Sequence, residues 1–232
     1  MYEEKRKINY YDLDSAGRVK LSALLKMVHI AADENATALG IGFAEMSRRE
    51  MSFILQRFAV LVARMPEYGE VVTLRTWPAS IARGTFLRKG DMFDLNGKKI
   101  MEWASLWILF DIAARKILKP SALPVTLPEF ADHGVSISPE KIILPNCEKI
   151  SSHKHTVRHS DVDTNQHMNN SIYGDIIGNA LPPSHIWREM QINYLAETRL
   201  GQEIEVAAHN HSDTIFITGN TSAKLSFVAR VV

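Results

Sequence analysis

The chain has 232 residues, 46% of them hydrophobic, and a formal net charge of +1, enough to bury the core of one large domain or two small ones. That balance supplies no bulk attraction for nucleic acid or an anionic membrane surface, though a local basic patch fits within it. The single cysteine, Cys147, excludes an internal disulfide and a Cys-rich zinc site, and suits a reducing compartment.

The start, MYEEKRKINYYDLD, runs straight into charged and strand-like residues without an apolar signal core, and no stretch of about 18 apolar residues follows. A soluble, untargeted, cytoplasmic protein is expected. KINYYDLDSAGRV predicts a strand and a loop leading into a long helix, LSALLKMVHIAADENATALG. Leu21, Leu24, Leu25, Val28 and Ala32 share one helix face, and Gly40 and Gly42 supply the stop. FILQRFAVLVAR and VVTLRTW read as strands, and Asn96-Gly97 between DMFDL and KKIMEWASLWILF as a hairpin turn. Trp103 and Trp107 fall on one face of that last strand, as core residues would. His29 reads as a partly buried, hydrogen-bonded histidine of the first helix.

Five of the nine prolines (Pro120, Pro124, Pro128, Pro139, Pro145) mark a connector. Beyond it the order of elements repeats. A shift of 149 lays Asp12, Leu13, Asp14 and Ser15 over Asp161, Val162, Asp163 and Thr164; a shift of 132 lays Gly69 over Gly201. The second copy therefore has the shorter helical section, MNNSIYGDIIGNAL, ended by Pro182-Pro183. Each copy reads as a long helix with an antiparallel sheet, an α+β unit. The expected division is 1–128, a connector 129–150, and 151–232.

The run SDVDTNQHMNN holds Asp163, Asn165 and His167 at alternate positions, where the first copy has Asp14, Ala16 and Arg18. The repeat therefore does not require the Asn and His. If this is the loop before a helix starting near Met168, free backbone N–H groups and the positive dipole end lie beside it and favour developing negative charge. An imidazole there can act as acid or base, and an amide can hold water or polarise a carbonyl. Attack on an ester or thioester without a Ser or Cys nucleophile calls for a base for water or a carboxylate that attacks directly, with Asp163 and Glu197 as the candidate acidic groups. The structural alternatives stand beside this reading: an Asp/Asn-rich cap and turn, and a solvated surface glutamate.

Cys147 has no placed base. The pairs His153/His155 and His209/His211 have the spacing of strand metal ligands without a third partner, so no metal is assigned. Arg83, Arg88, Lys89, Lys98 and Lys99 surround one hairpin, as a solvated edge or a docking patch.

SDVDTNQHMNNSIY, with INYLAETRLG downstream, resembles the acyl-acyl carrier protein thioesterases of bacteria and plant plastids, and the resemblance extends through FILQRFAVLVARMPEYGEVVTLRTWPAS and RGTFLRKGDMFDLNGKKIMEWASLWILFD. It implies two tandem hotdog domains, no cofactor, and hydrolysis of acyl carrier thioesters to fatty acid, with Asp163, Asn165, His167 and Glu197 as the catalytic set. It also implies an acyl pocket in the first unit near Leu24, Met27, Val28 and Ala31, whose other reading is ordinary core. The absence of a transit peptide suits a bacterial member; an acidic carrier protein would be the partner, with the basic hairpin as its docking candidate, and a homodimer is allowed. Many plant members carry cysteine after the glutamate, whereas this chain has Thr198, which disfavours a thiolate and favours water. A hotdog enoyl-thioester hydratase, an acyl-CoA thioesterase and a non-catalytic acyl-thioester sensor are the alternatives.

Overall fold

The computed structural model describes residues 1–128, 133–183 and 185–232. The first half contains β1 (Tyr2–Lys7), α1 (Leu21–Ala38), α2 (Phe43–Arg48), β2 (Met51–Val62), β3 (Val71–Ala82), β4 (Thr85–Phe93), β5 (Lys99–Asp111) and β6 (Lys116–Leu118). The second contains β7 (Glu148–Thr156), α3 (Ile172–Ala180), β8 (Glu189–Tyr194), β9 (Glu203–His211), β10 (Thr214–Asn220) and β11 (Leu225–Val231). The strands make one antiparallel sheet in the order β1-β3-β4-β5-β2-β8-β11-β10-β9-β7, with β6 paired to β5.

The two halves of that order mirror each other about the β2–β8 seam. With the shift of 132, Gln191 is the counterpart of Ala59, and these two residues are partners in the ladder. On either side, Arg57 pairs with Asn193 and Leu61 with Glu189, each pair being the image of the other. A pseudo-twofold axis therefore passes between Ala59 and Gln191.

Helix α1 forms because its apolar residues recur on one face: Leu21, Leu24, Leu25, Val28 and Ala31 are buried. Leu24, Met27 and Val28 belong to the main apolar cluster, with Phe58 and Val60 of β2 and Trp103 of β5. Gly40, at φ 76°, ends the helical segment in the left-handed conformation. Helix α3 has nine residues against eighteen in α1. The helices cross at Gly174, where a Cβ would come within 2.6 Å of the Ser22 nitrogen, so no larger residue fits without displacement. Beside that crossing the Ser22 hydroxyl donates to Asp175.

His29 is partly buried as expected, but its hydrogen bonding is not as expected. It sits edge-on to Trp107 and Phe58 at centroid distances of 5.9 and 6.3 Å, and its Nε2 has no hydrogen-bond partner among the described residues. Burial pulls its pKa down to about 4, so the ring is a neutral aromatic packing element.

Residues 129–132 of the expected connector lie outside the described residues. Those following cross the outer face of the sheet, where Val135 and Ile137 pack on Trp77, Ala59 and Ala104. Buried polar side chains hold this segment by its backbone. Glu102 Oε1 accepts from Ser136 N and Ile137 N at 2.9 and 3.1 Å, Gln191 Oε1 from Glu140 N at 3.0 Å, and Asn193 Oδ1 from Ile142 N at 2.9 Å. Satisfying backbone groups in this way lets an irregular segment lie on a sheet face.

Candidate active site

Three hairpin turns share one construction. In Asp94–Lys98, Asp14–Arg18 and Asp163–His167 the first residue's N–H donates to the fifth residue's carbonyl at 3.0, 2.7 and 3.0 Å. The fourth residue takes positive φ: Gly97 at 75°, Gly17 at 76° and Gln166 at 63°. In each, the aspartate Oδ1 accepts the N–H two residues on, from Asn96, Ala16 and Asn165 at 2.9, 2.9 and 2.8 Å. Asp163 thus performs the same turn-forming task as Asp94 and Asp14. The structure separates this role from whatever chemistry its second oxygen takes up.

The turn presents His167 toward the loop after β8. His167 Nε2 lies 2.8 Å from Glu197 Oε2. Among the described residues neither the Asp163 carboxylate nor the Asn165 side-chain amide bonds to that pair; Asn165 is exposed at the tip of the turn. Helix α3 starts at Ile172, later than the expected Met168. Its first amides are partly engaged, since Asn169 accepts Ser171 N through Oδ1 at 2.9 Å and Ile172 N through its carbonyl at 2.9 Å. The helix dipole therefore acts on His167 from farther away than the sequence implied.

Glu197 is held from behind by Ser226 of β11. The Ser226 carbonyl accepts Leu195 N and Ala196 N at 2.8 and 3.0 Å, its hydroxyl donates to Ala196 O at 3.0 Å, and it lies 2.7 Å from Thr198 Oγ1. Met168 N donates to Thr198 O at 2.8 Å, stitching the histidine turn to the glutamate loop. The Thr198 side chain is fully buried and faces Ser226 and the Tyr173 hydroxyl, so it cannot present a nucleophile. These supports were invisible in sequence, because Tyr173, Ser226 and Thr198 meet only when three separate segments fold.

Two further cations reach the site. Glu197 Oε1 is 2.7 Å from Arg199 Nη2 and 3.5 Å from Arg115 Nη2. Burial works against the Glu197 anion, but His167, Arg199 and Arg115 outweigh it and hold its pKa below the usual carboxylate range. Neither arginine was a sequence candidate: the place of Arg199 two residues after Glu197 could have signalled it, whereas Arg115, in the β5–β6 turn, carried no signal.

The remaining sequence candidates fall elsewhere. Leu24, Met27, Val28 and Ala31 lie on the buried face of α1. Arg88 is tucked under that helix against Asn35 Oδ1 (2.9 Å) and Thr76 Oγ1 (3.2 Å), and burial lowers its pKa to about 10. Lys89 donates to Val135 O and Lys99 to Gly134 O, each at 2.7 Å. Arg83 and Lys98 lie at opposite ends of β4, so the five basic positions do not form one patch. His155 bonds Asp161 at 3.0 Å and His209 lies 3.2 Å from Thr218 Oγ1. Among the described residues no group of three or more His, Cys, Asp or Glu side chains is arranged to hold a metal ion, and no helix is long and apolar enough to cross a membrane.

The chain is 25% identical over 196 residues to an acyl-[acyl-carrier-protein] hydrolase of Cuphea viscosissima, covering 79% of this chain and 48% of that protein. It is 28% identical over 193 residues to the dodecanoyl-[acyl-carrier-protein] hydrolase of Cinnamomum camphora, covering 76% and 50%. The chain thus spans about half the length of the curated relatives it matches. Its fold superposes on an acyl-ACP thioesterase from Bacteroides thetaiotaomicron with a TM-score of 0.88 at 21% identity, over 99% of this chain and 96% of that one. For the 12:0-ACP thioesterase from Umbellularia californica the values are 0.83 and 18%, over 99% and 95%. These likenesses establish the tandem hotdog architecture that the sequence resemblance implied. The acyl-ACP thioesterase N-terminal domain matches residues 1–121 and the C-terminal domain residues 145–227, and on that match the chain belongs to the acyl-ACP thioesterase family.

Proposed function

We propose that this chain hydrolyses the thioester joining an acyl group to acyl carrier protein, giving free fatty acid and holo-carrier protein and so ending fatty acid synthesis in the cytoplasm. The observation that carries the mechanism is the 2.8 Å contact between His167 and Glu197; among the described residues the hydroxyls beside it, Thr198 and Ser226, are buried and bonded to each other rather than presented to the pair. Water is then the nucleophile. Ionised Glu197 accepts the Nε2–H of His167, which leaves the other ring nitrogen to take a proton as water adds to the thioester carbon. A C–O bond forms, and the carbonyl oxygen becomes an oxyanion met by the Asn165 amide and nearby backbone N–H groups. Collapse breaks the C–S bond, and the imidazolium returns its proton to the departing thiolate. Asp163 shapes the turn that carries Asn165 and His167.

In this reading residues 1–128 form the unit that takes the acyl chain, lined by Leu24, Met27, Val28 and Ala31. Residues 129–150 connect it to a catalytic unit at 151–232. No metal or other cofactor is invoked, and a homodimer is compatible with the scheme without being required. The dispersed basic residues give no support to the hairpin as the carrier docking site.

The test is thiol release from carrier-linked acyl groups of graded length, comparing the intact protein with Glu197→Ala. Turnover by the intact protein and a loss of roughly a hundredfold or more in the folded variant are expected. Stoichiometric binding without thiol release would sink the enzyme reading in favour of a sensor, and water addition to a crotonyl thioester would favour a hydratase.

A further inference from the structure

The mechanism above uses one face of Glu197 and leaves the other unexplained. Oε2 faces His167, while Oε1 is engaged by two guanidinium groups, Arg199 from the same loop and Arg115 from the first unit. The turn that carries Arg115 is itself fixed. Ile112 N donates to Glu50 O at 2.8 Å, Ala114 N donates to Asp111 Oδ1 at 2.7 Å, and Arg115 takes a φ of 50°. Both arginine side chains are more than half exposed, at 53% and 67%. Exposed ion pairs add little to folding, so stability does not account for two cations on one carboxylate oxygen.

We propose that Arg199, assisted by Arg115, is a positioning residue that keeps Glu197 ionised and its second oxygen turned toward His167. This rests on the roles of Glu197 and His167 proposed above, and it makes the first unit part of the second unit's chemistry. An unrestrained glutamate side chain rotates about three bonds. Pinning one oxygen fixes where the other points. An ionised Glu197 accepts from His167 Nε2 and selects the tautomer whose other nitrogen is a base. A protonated Glu197 would donate to that nitrogen instead and reverse the arrangement. Burial favours the protonated form; opposing it are His167 when its ring carries a proton and the permanent charges of Arg199 and Arg115, and Tyr173, on α3, is a further titratable group that senses Glu197.

The experiment is the pH dependence of kcat and kcat/KM for acyl carrier thioester hydrolysis by the intact protein, Arg199→Ala, Arg199→Lys, Arg115→Ala and Glu197→Gln, with thermal unfolding to confirm folding. Removing a cation raises the Glu197 pKa, so the acid limb should move to higher pH in Arg199→Ala and, less far, in Arg115→Ala. The kcat of Arg199→Ala should fall by about tenfold with KM little changed, and Arg199→Lys should recover most of both effects. An acid limb that stays in place in both alanine variants overturns the proposal, as does a pH-independent loss that lysine does not recover. A fully active Glu197→Gln would instead remove the underlying role of Glu197. An inactive Glu197→Gln alongside unaltered arginine variants removes only the positioning role.

Discussion

In the first unit the Asp14–Arg18 turn ends in an arginine that donates to the carbonyls of Pro183 and His185 at 2.7 and 3.0 Å and to Asp14 through Nε at 3.1 Å. In the second, the matching Asp163–His167 turn ends in a histidine that meets Glu197. The counterpart of Glu197 at the shift of 132 is Met65, which packs against the main apolar cluster. One backbone construction therefore serves as a staple between units on one side and as a catalytic candidate on the other. In the proposed mechanism the chemistry resides in two side chains of the turn and one across from it, while the shared aspartate builds the loop.

The comparison breaks most directly at His167. His167→Ala should cost roughly a hundredfold or more in thiol release, and adding Ala16→Asn and Arg18→His to that variant should restore nothing, since Met65 offers no carboxylate. Recovery of turnover in the combined variant would mean that the turn alone suffices. The paired aspartates should differ in the opposite sense. Asp14 accepts from Ala16 N, Arg18 N and Arg18 Nε, whereas the Asp163 side chain accepts from Asn165 N alone among the described residues. Asp14→Ala should therefore lose about 2 kcal/mol and Asp163→Ala about 1 kcal/mol of unfolding free energy, and urea titration measures both. Equal losses would show that the extra bonds around Asp14 carry no net weight.

A finer distinction lies at the fourth position, where the sister turns have glycine and this one has Gln166 in the left-handed region. Gln166→Gly should raise stability by up to about 1 kcal/mol, relief of backbone strain being partly offset by unfolded-state entropy. A destabilised variant would mean that the glutamine side chain makes contacts that offset the strain. Smallest of all, Thr198→Ser should leave kcat within about twofold, because the buried hydroxyl bonds Ser226 and Tyr173 and serine preserves that group. A collapse of kcat would reopen a role for the residue after the glutamate.

Much of this was legible before folding. Period and repeat predicted α1, the strands and the duplication, because the face of α1 and the alternation of the strands are local patterns. The Asp163 to His167 run was visible because its partner copy, with Ala16 and Arg18, lacks the Asn and His. The four-residue delay in the start of α3 was not, since the Asn169 side chain accepts from Ser171 N and Oγ in a local turn that competes with helix from Met168 onward. Arg115 and Ser226 were illegible for a different reason. They lie 82 and 29 positions from Glu197, and only the closing of the sheet brings them beside it. The hydrogen bonding of His29 was misjudged because a lone histidine on an apolar face gives no sign of whether its ring will find a donor or an aromatic edge.

The pairing of Ala59 with Gln191 has a consequence for how such a chain can assemble. Corresponding residues face one another across the seam, which is the contact two identical chains make about a twofold axis. Because the halves are joined in one chain, they need not be identical to meet in this way. The second unit has a helix half as long and carries the histidine and glutamate, while the first has the long helix and places Arg115 beside Glu197. The division of labour between the units is a broken symmetry whose axis is still written in the hydrogen bonds of the sheet.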